Sequence, residues 1–153
     1  MKLTEYLLPS LVKVPLDSTD KTGAITEVVD LVAAQHLTTS RDILLKAVLE
    51  REAQRSTGVG KGFAIPHAKT DAVNRLVVAM GRTRIPIPFG AIDGQPVELI
   101  ALLASPTNAT SLHIQTLARL SKLVTNGAAL ARLLAAKTPE EFYAQIAANE
   151  AEP

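Results

Sequence analysis

Ser56-Thr57-Gly58-Val59-Gly60-Lys61-Gly62-Phe63-Ala64-Ile65-Pro66-His67 runs a glycine-rich loop into a short apolar segment, which a proline stops and a histidine follows. Three glycines in five residues let the backbone approach a ligand closely or adopt positive φ. Phe63, Ala64 and Ile65 read as a short buried strand. Pro66 cannot donate to a ladder and so predicts the strand's end. His67 then stands at the mouth of a sheet, where open α/β folds place their chemistry. The competing reading is a loop histidine without a role.

Outward from this stretch, strands and helices alternate. On the N-terminal side, Leu11-Val12-Lys13-Val14 is a short strand candidate ended by Pro15. Helix signals begin near Asp17 to Asp20, and Ile25, Val28, Val29 and Val32 then share one face. A second helix follows Thr39-Ser40, both plausible caps, with Leu44, Ala47, Val48 and then Arg51 along one stripe. On the C-terminal side, Leu76 to Met80 is rich in strand formers. Val97 to Ala104 is apolar except at Glu98, a pattern suited to a central strand buried on both faces. A helix starting near Thr110-Ser111 aligns His113, Leu117, Leu120 and Val124, with Gly127 as its expected stop. Leu130 to Ala136 makes a short helix. Thr138-Pro139-Glu140-Glu141 is a capping box with proline at the first helical position, opening a last helix through Phe142 and Ile146. The polar tail Asn149 to Pro153 is expected to fray. Alternation of this kind predicts an α/β class, as one domain over residues 1–153.

The chain has 153 residues, 47% of them hydrophobic and 3% aromatic, so the core must be aliphatic. With no cysteine, disulfides, thiolate metal sites and cysteine nucleophiles are excluded. A net charge of +1 offers no broad footprint for nucleic acid or membrane. Glu5 interrupts any leader-like start, and the run Leu99 to Ala104 is too short to span a bilayer. These features predict a soluble cytoplasmic protein with no direct membrane insertion.

Among the three histidines, His36 sits at a helix end, as a terminal cation or a half-buried packing residue. His113 takes a core-facing place in the first turn of its helix. It is either a satisfied core histidine or an imidazole kept neutral by the helix N-terminus beside an anion. Arg51 is either an arginine snorkelling from a helix end or a guanidinium aimed inward at phosphate oxygens. Other templates fit worse. Gly62 follows Lys61 where a P-loop needs Ser or Thr, no G-x-S-x-G elbow occurs, and the histidines lack zinc-ligand spacing.

Taken in order, Arg51-Glu52, Ser56-Thr57-Gly58, Ala64-Ile65-Pro66-His67, Pro86-Ile87, Phe89, Asp93-Gly94, Pro96-Val97, Pro106, and His113 with Leu117-Ala118 form a pattern across residues 40–125. The pattern resembles the phosphotransferase-system EIIA domains of the fructose, mannitol and nitrogen-regulatory type. The resemblance implies a mixed, mostly parallel sheet of about five strands flanked by helices. It also implies that His67 is a phosphoryl acceptor and donor, with His113 as the second active-site histidine and Arg51 close by. The phosphoryl group would then be met by donors from Ser56, Thr57 and the Gly58, Gly60 and Gly62 loop. Phosphate would arrive from an HPr-type carrier and leave to an EIIB domain, or its presence would control a regulatory target. No cofactor, metal or nucleic acid is implied.

Overall fold

Val97–Ser105, the strand numbered β6 below, has eight of its nine residues buried and lies inside a six-stranded sheet. In the computed structural model, which describes residues 1–151 apart from the Val124 side chain, the strands are β1 (Val12–Leu16), β2 (Gly58–Gly60), β3 (Phe63–Ala64), β4 (His67–Lys69), β5 (Val77–Ile87) and β6. Five helices accompany them: α1 (Lys21–Ala34), α2 (Arg41–Gln54), α3 (Thr110–Thr125), α4 (Gly127–Ala135) and α5 (Pro139–Ala151). Two short 3-10 turns, Leu3–Glu5 and Pro9–Leu11, precede β1. The sheet order is β1-β5-β6-β3-β2, with β4 also on β6. Three pairings are parallel (β1 with β5, and β3 and β4 with β6), and two are antiparallel.

One edge of β6 carries β5 in an antiparallel ladder from Val77↔Ala104 to Ile87↔Val97. Its other edge carries β3 and then β4 in one continuous parallel register, Phe63↔Leu99 and Ala64↔Ile100 resuming as His67↔Leu103 and Lys69↔Ser105. Counted as one interrupted strand, β3 and β4 give the expected five. Pro66 does interrupt the strand after Ala64, as its missing N–H predicted, but pairing with β6 resumes at His67. The carbonyl it retains still accepts from Leu103 N–H at 3.0 Å, so the ladder bridges the break. His67 consequently stands within the sheet edge rather than beyond it.

Helices α1 and α2 pack on each other, α1 against β5 and α2 against β4; α3 packs on β6 and α5 on β1. Their starts follow the sequence. Asp20 accepts from Gly23 N–H at 2.6 Å and Ser40 from Ile43 N–H at 3.2 Å, satisfying donors the first turn leaves free. Thr138 accepts from Glu141 N–H at 3.1 Å, while the Glu141 carboxylate reaches back to Lys137 N–H at 2.8 Å.

Several expectations need correction. Pro15 lies inside β1. This is an edge strand whose register shifts between Lys13 and Leu16, so the missing donor costs no ladder bond. Gly127 opens α4 rather than stopping α3, because Asn126 between them accepts from Ala129 N–H at 3.0 Å. His36 is exposed and ends α1 at φ 57°, with Leu37 N–H on Val32 O and His36 N–H on Ala33 O closing the helix. Asn149 to Ala151 do not fray but complete α5, and the Glu150 carboxylate accepts from Leu3 and Thr4 N–H at 2.5 and 3.0 Å. Glu152, Pro153 and the place of the Val124 side chain fall outside the described residues. Among the described residues, no helix is long and apolar enough to cross a membrane.

Candidate functional site

The interruption at Ile65-Pro66 sets His67. Its Nδ1 lies 2.8 Å from Ile65 O. A carbonyl can only accept, so Nδ1 carries the proton and donates, which leaves the lone pair on Nε2. The half-buried ring lines two shallow depressions of about 450 and 500 Å³. Burial pushes the His67 pKa below its ordinary 6.5; the Ile65 hydrogen bond opposes this, the Arg51 guanidinium adds to it and the Glu52 carboxylate opposes it.

Across the cleft, His113 in the first turn of α3 packs its ring edge-on to His67, centroids 5.6 Å apart at 63°. It is 3% exposed, with Nδ1 held 2.6 Å from the buried Ser105 hydroxyl. Burial, then the neighbouring His67 and Lys69, push its pKa down to about 4, so His113 is neutral near pH 7. Arg51 comes from the last turn of α2 and is half-buried; Nη1 donates to Arg55 O at 3.1 Å, and the side chain borders both depressions. The structure thus brings His67, His113 and Arg51 together. Exposed His36, at the far end of α1, is not among the residues lining either depression.

The glycine loop proves to be a hairpin in which the Ser56, Thr57 and Gly58 donors are occupied. Ser56, Thr57 and Gly58 border the first depression. Even so, the Ser56 hydroxyl donates to Phe89 O at 2.9 Å and accepts from Gly58 N–H at 3.1 Å. Thr57 gives both its N–H, at 2.7 Å, and its hydroxyl to the Glu52 carboxylate. Gly60 and Gly62, at φ 98° and 79°, make the β2–β3 turn against Asp93 and the start of β6 rather than facing His67. These groups shape the wall, and the side chains that α2 and α3 bring to the cleft are Arg51 and His113.

Sequence reasoning gave no role to Glu52. It is 6% exposed, binds Thr57 and pairs with Lys21 Nζ at 3.2 Å. Its signal was present, because Leu44, Val48 and Glu52 repeat every fourth residue and are the three buried positions of α2. Ser105, the His113 partner, closes the apolar run of β6 and carried no distinguishing signal.

Residues 5–149 match the family model described as the phosphoenolpyruvate-dependent sugar phosphotransferase system, EIIA 2. The chain belongs to this family. Among EIIA relatives, the fructose-specific EIIABC component of Bacillus subtilis is 35% identical over 140 residues, 92% of this chain but only 22% of that longer protein. The nitrogen regulatory protein of Escherichia coli is 37% identical over 128 residues, 83% of this chain and 78% of its own. The crystal structure of nitrogen regulatory protein IIA-Ntr from Neisseria meningitidis superposes with a TM-score of 0.86 at 31% identity, covering 93% of this chain and 97% of that one. This EIIA chain is therefore similar both to transport components and to nitrogen regulators.

Proposed function

We propose that His67 is a phosphohistidine: Nε2 accepts a phosphoryl group from an HPr-type carrier and later yields it to an EIIB domain. The carrying observation is the Ile65 carbonyl on Nδ1, which leaves Nε2 bare in an open cleft. The Nε2 lone pair forms the new P–N bond as the donor's P–N bond breaks and its electron pair returns to the donor ring. His67 gains positive charge in that step, and the Ile65 carbonyl accepting from Nδ1–H stabilises it. The depressed pKa keeps the nucleophile unprotonated at neutral pH. Arg51 supplies a fixed positive charge for the incoming dianion, and neutral His113 supplies a second donor without trapping it. Ser56, Thr57 and Gly58 wall the depression without donating. Incubation with phosphoenolpyruvate, enzyme I and HPr is expected to place an acid-labile, base-stable phosphoryl group on His67. Undiminished labelling of His67→Ala by mass spectrometry would overturn the assignment.

The likeness to nitrogen regulators favours a second reading, in which the same phosphorylation controls binding of a target protein. A target that binds only one form of the chain, with no phosphoryl transfer to any EIIB, would select it.

A further inference from the structure

Glu52 is a charged side chain placed where a leucine is expected. Burying a carboxylate costs several kcal/mol even when it is paired, and a buried ion pair is often no more stabilising than apolar residues of the same volume. Stability alone therefore gives a weak account of Glu52 and Lys21. Its hydrogen bonds lead elsewhere. The carboxylate accepts from Thr57 N–H and from the Thr57 hydroxyl. Thr57 O accepts from Ile65 N–H at 3.0 Å. Ile65 O accepts from His67 Nδ1–H at 2.8 Å. Three residues, each fixed by the one before, connect a buried anion to the proton that decides which imidazole nitrogen is free. Lys21 braces the far side, with Nζ on Glu52 at 3.2 Å and on Phe89 O at 3.1 Å; Ser56 also donates to that carbonyl.

We propose that Glu52 is a positioning residue for phosphoryl transfer: through Thr57 and Ile65 it holds the His67 ring in the one tautomer and orientation that present Nε2 to the donor. The proposal rests on the reading of His67 as acceptor. Glu52 touches neither His67 nor the phosphoryl group, and its effect is on where the Ile65 carbonyl points. The Ile65–Pro66 segment falls between β3 and β4, where the Pro66 carbonyl bonds β6 and the Ile65 N–H bonds Thr57, so the placement of Ile65 depends in part on the loop that Glu52 secures.

The test reads the ring directly. Nitrogen chemical shifts of His67 at pH 8 report the tautomer whether or not the chain is ever phosphorylated. The wild type is expected to show a protonated Nδ1. In Glu52→Gln, which keeps the shape and removes the charge, His67 is expected to become a mixture of tautomers. Its pKa is expected to fall further, since burial and Arg51 act on it without the opposing carboxylate. Transfer from phosphorylated HPr is expected to slow at least about tenfold, the lower end of the cost of removing an orienting outer partner in metal sites. The His113 ring, held by Ser105 and outside this chain of bonds, is expected to keep its wild-type nitrogen shifts. Because Glu52→Gln leaves Lys21 without its anion, the double variant Lys21→Met, Glu52→Gln decides if the single one unfolds. A folded variant with wild-type His67 tautomer and rate overturns the positioning role. Wild-type protein that fails to label at His67 overturns the acceptor reading instead.

Discussion

The two edges of β6 are built in opposite ways. Toward β5 the strand makes a long antiparallel ladder that is apolar apart from Arg82 and Thr83 near its far end, with Met80, Ile87, Leu99 and Ile100 fully buried. Toward β3 and β4 it meets a strand broken by Ile65-Pro66 and flanked by buried polar groups, among them Glu52, Thr57, Ser105 and His113. Leu103 belongs to both sides, opposite Val78 on one and His67 on the other. Cohesion and chemistry are thus separated by the width of one strand. The apolar edge gains from water exclusion. Buried groups on the other edge lose hydration, and each needs a specific partner in return. That separation lets the site hold His67, the proposed nucleophile, beside these desolvated polar side chains while the apolar edge supplies the cohesion.

The largest effect that sharpens the contrast belongs to the apolar edge. Ile100→Ala is expected to cost about 2–5 kcal/mol, the range for deleting a fully buried branched side chain that leaves a cavity. Urea unfolding measures it, and phosphoryl transfer is expected to persist wherever the variant remains folded. A loss under about 1 kcal/mol would mean that the core is not concentrated there. On the polar edge the order reverses. Arg51→Ala is expected to change stability by no more than about 0.5 kcal/mol, because its side chain is half-exposed and bonds only a local carbonyl. Transfer from phosphorylated HPr is expected to slow by about 10²-fold, as when one transition-state donor is lost. Rapid-quench transfer rates matching wild type would break the comparison and leave Arg51 as a helix-end cation.

What the sequence revealed follows the same division. β6, the helix start near Asp20, the caps at Ser40 and Thr138, and the apolar stripe of α1 were legible because local pattern and tertiary burial agree there. The α2 stripe was legible at Leu44 and Val48 but runs on to Glu52 and not to Arg51. The grouping of His67, His113 and Arg51 was legible through family resemblance, since nothing in their spacing brings residues 51, 67 and 113 together. Pro15 misled because a proline's cost depends on whether its N–H would have faced a partner, which is a property of the sheet and not of the segment. Pro66 marked the break correctly, but not that pairing resumes at His67. Gly127 misled because Asn126 supplies the cap, and a glycine can open a helix as well as follow one. The hydroxyls of Ser56 and Thr57 looked free because their partners, Phe89 and Glu52, are fixed only by the folded hairpin.

The smallest expected effect is in pH and asks whether the polar edge carries a measurable protonation cost. His113 has a pKa of about 4 when folded, against about 6.5 in an unfolded chain. Between those values the unfolded chain binds a proton that the folded one refuses, so stability rises with pH. The contribution is fully present above about pH 6.5, is lost as pH falls toward 4, and is flat below that. One proton corresponds to a slope of at most about 1.4 kcal/mol per pH unit. His67, depressed in the same direction, adds a share to this window, and Lys69 and the neutral Ser105 hydroxyl complete the surroundings of His113. Glu27 acts lower. Burial opposes its ionisation, but Lys13 and the Asp17 and Ser18 amides hold it at about 2, so its stabilisation is lost only below about 4.5. Measured from pH 6.5 to 5, the urea midpoint of the wild type is therefore expected to fall more steeply than that of His113→Gln, which cannot titrate. Parallel lines for the two proteins would mean that His113 is free to protonate in the folded state. The polar edge would then be no more desolvated than an ordinary surface, and the separation across β6 would lose its physical basis.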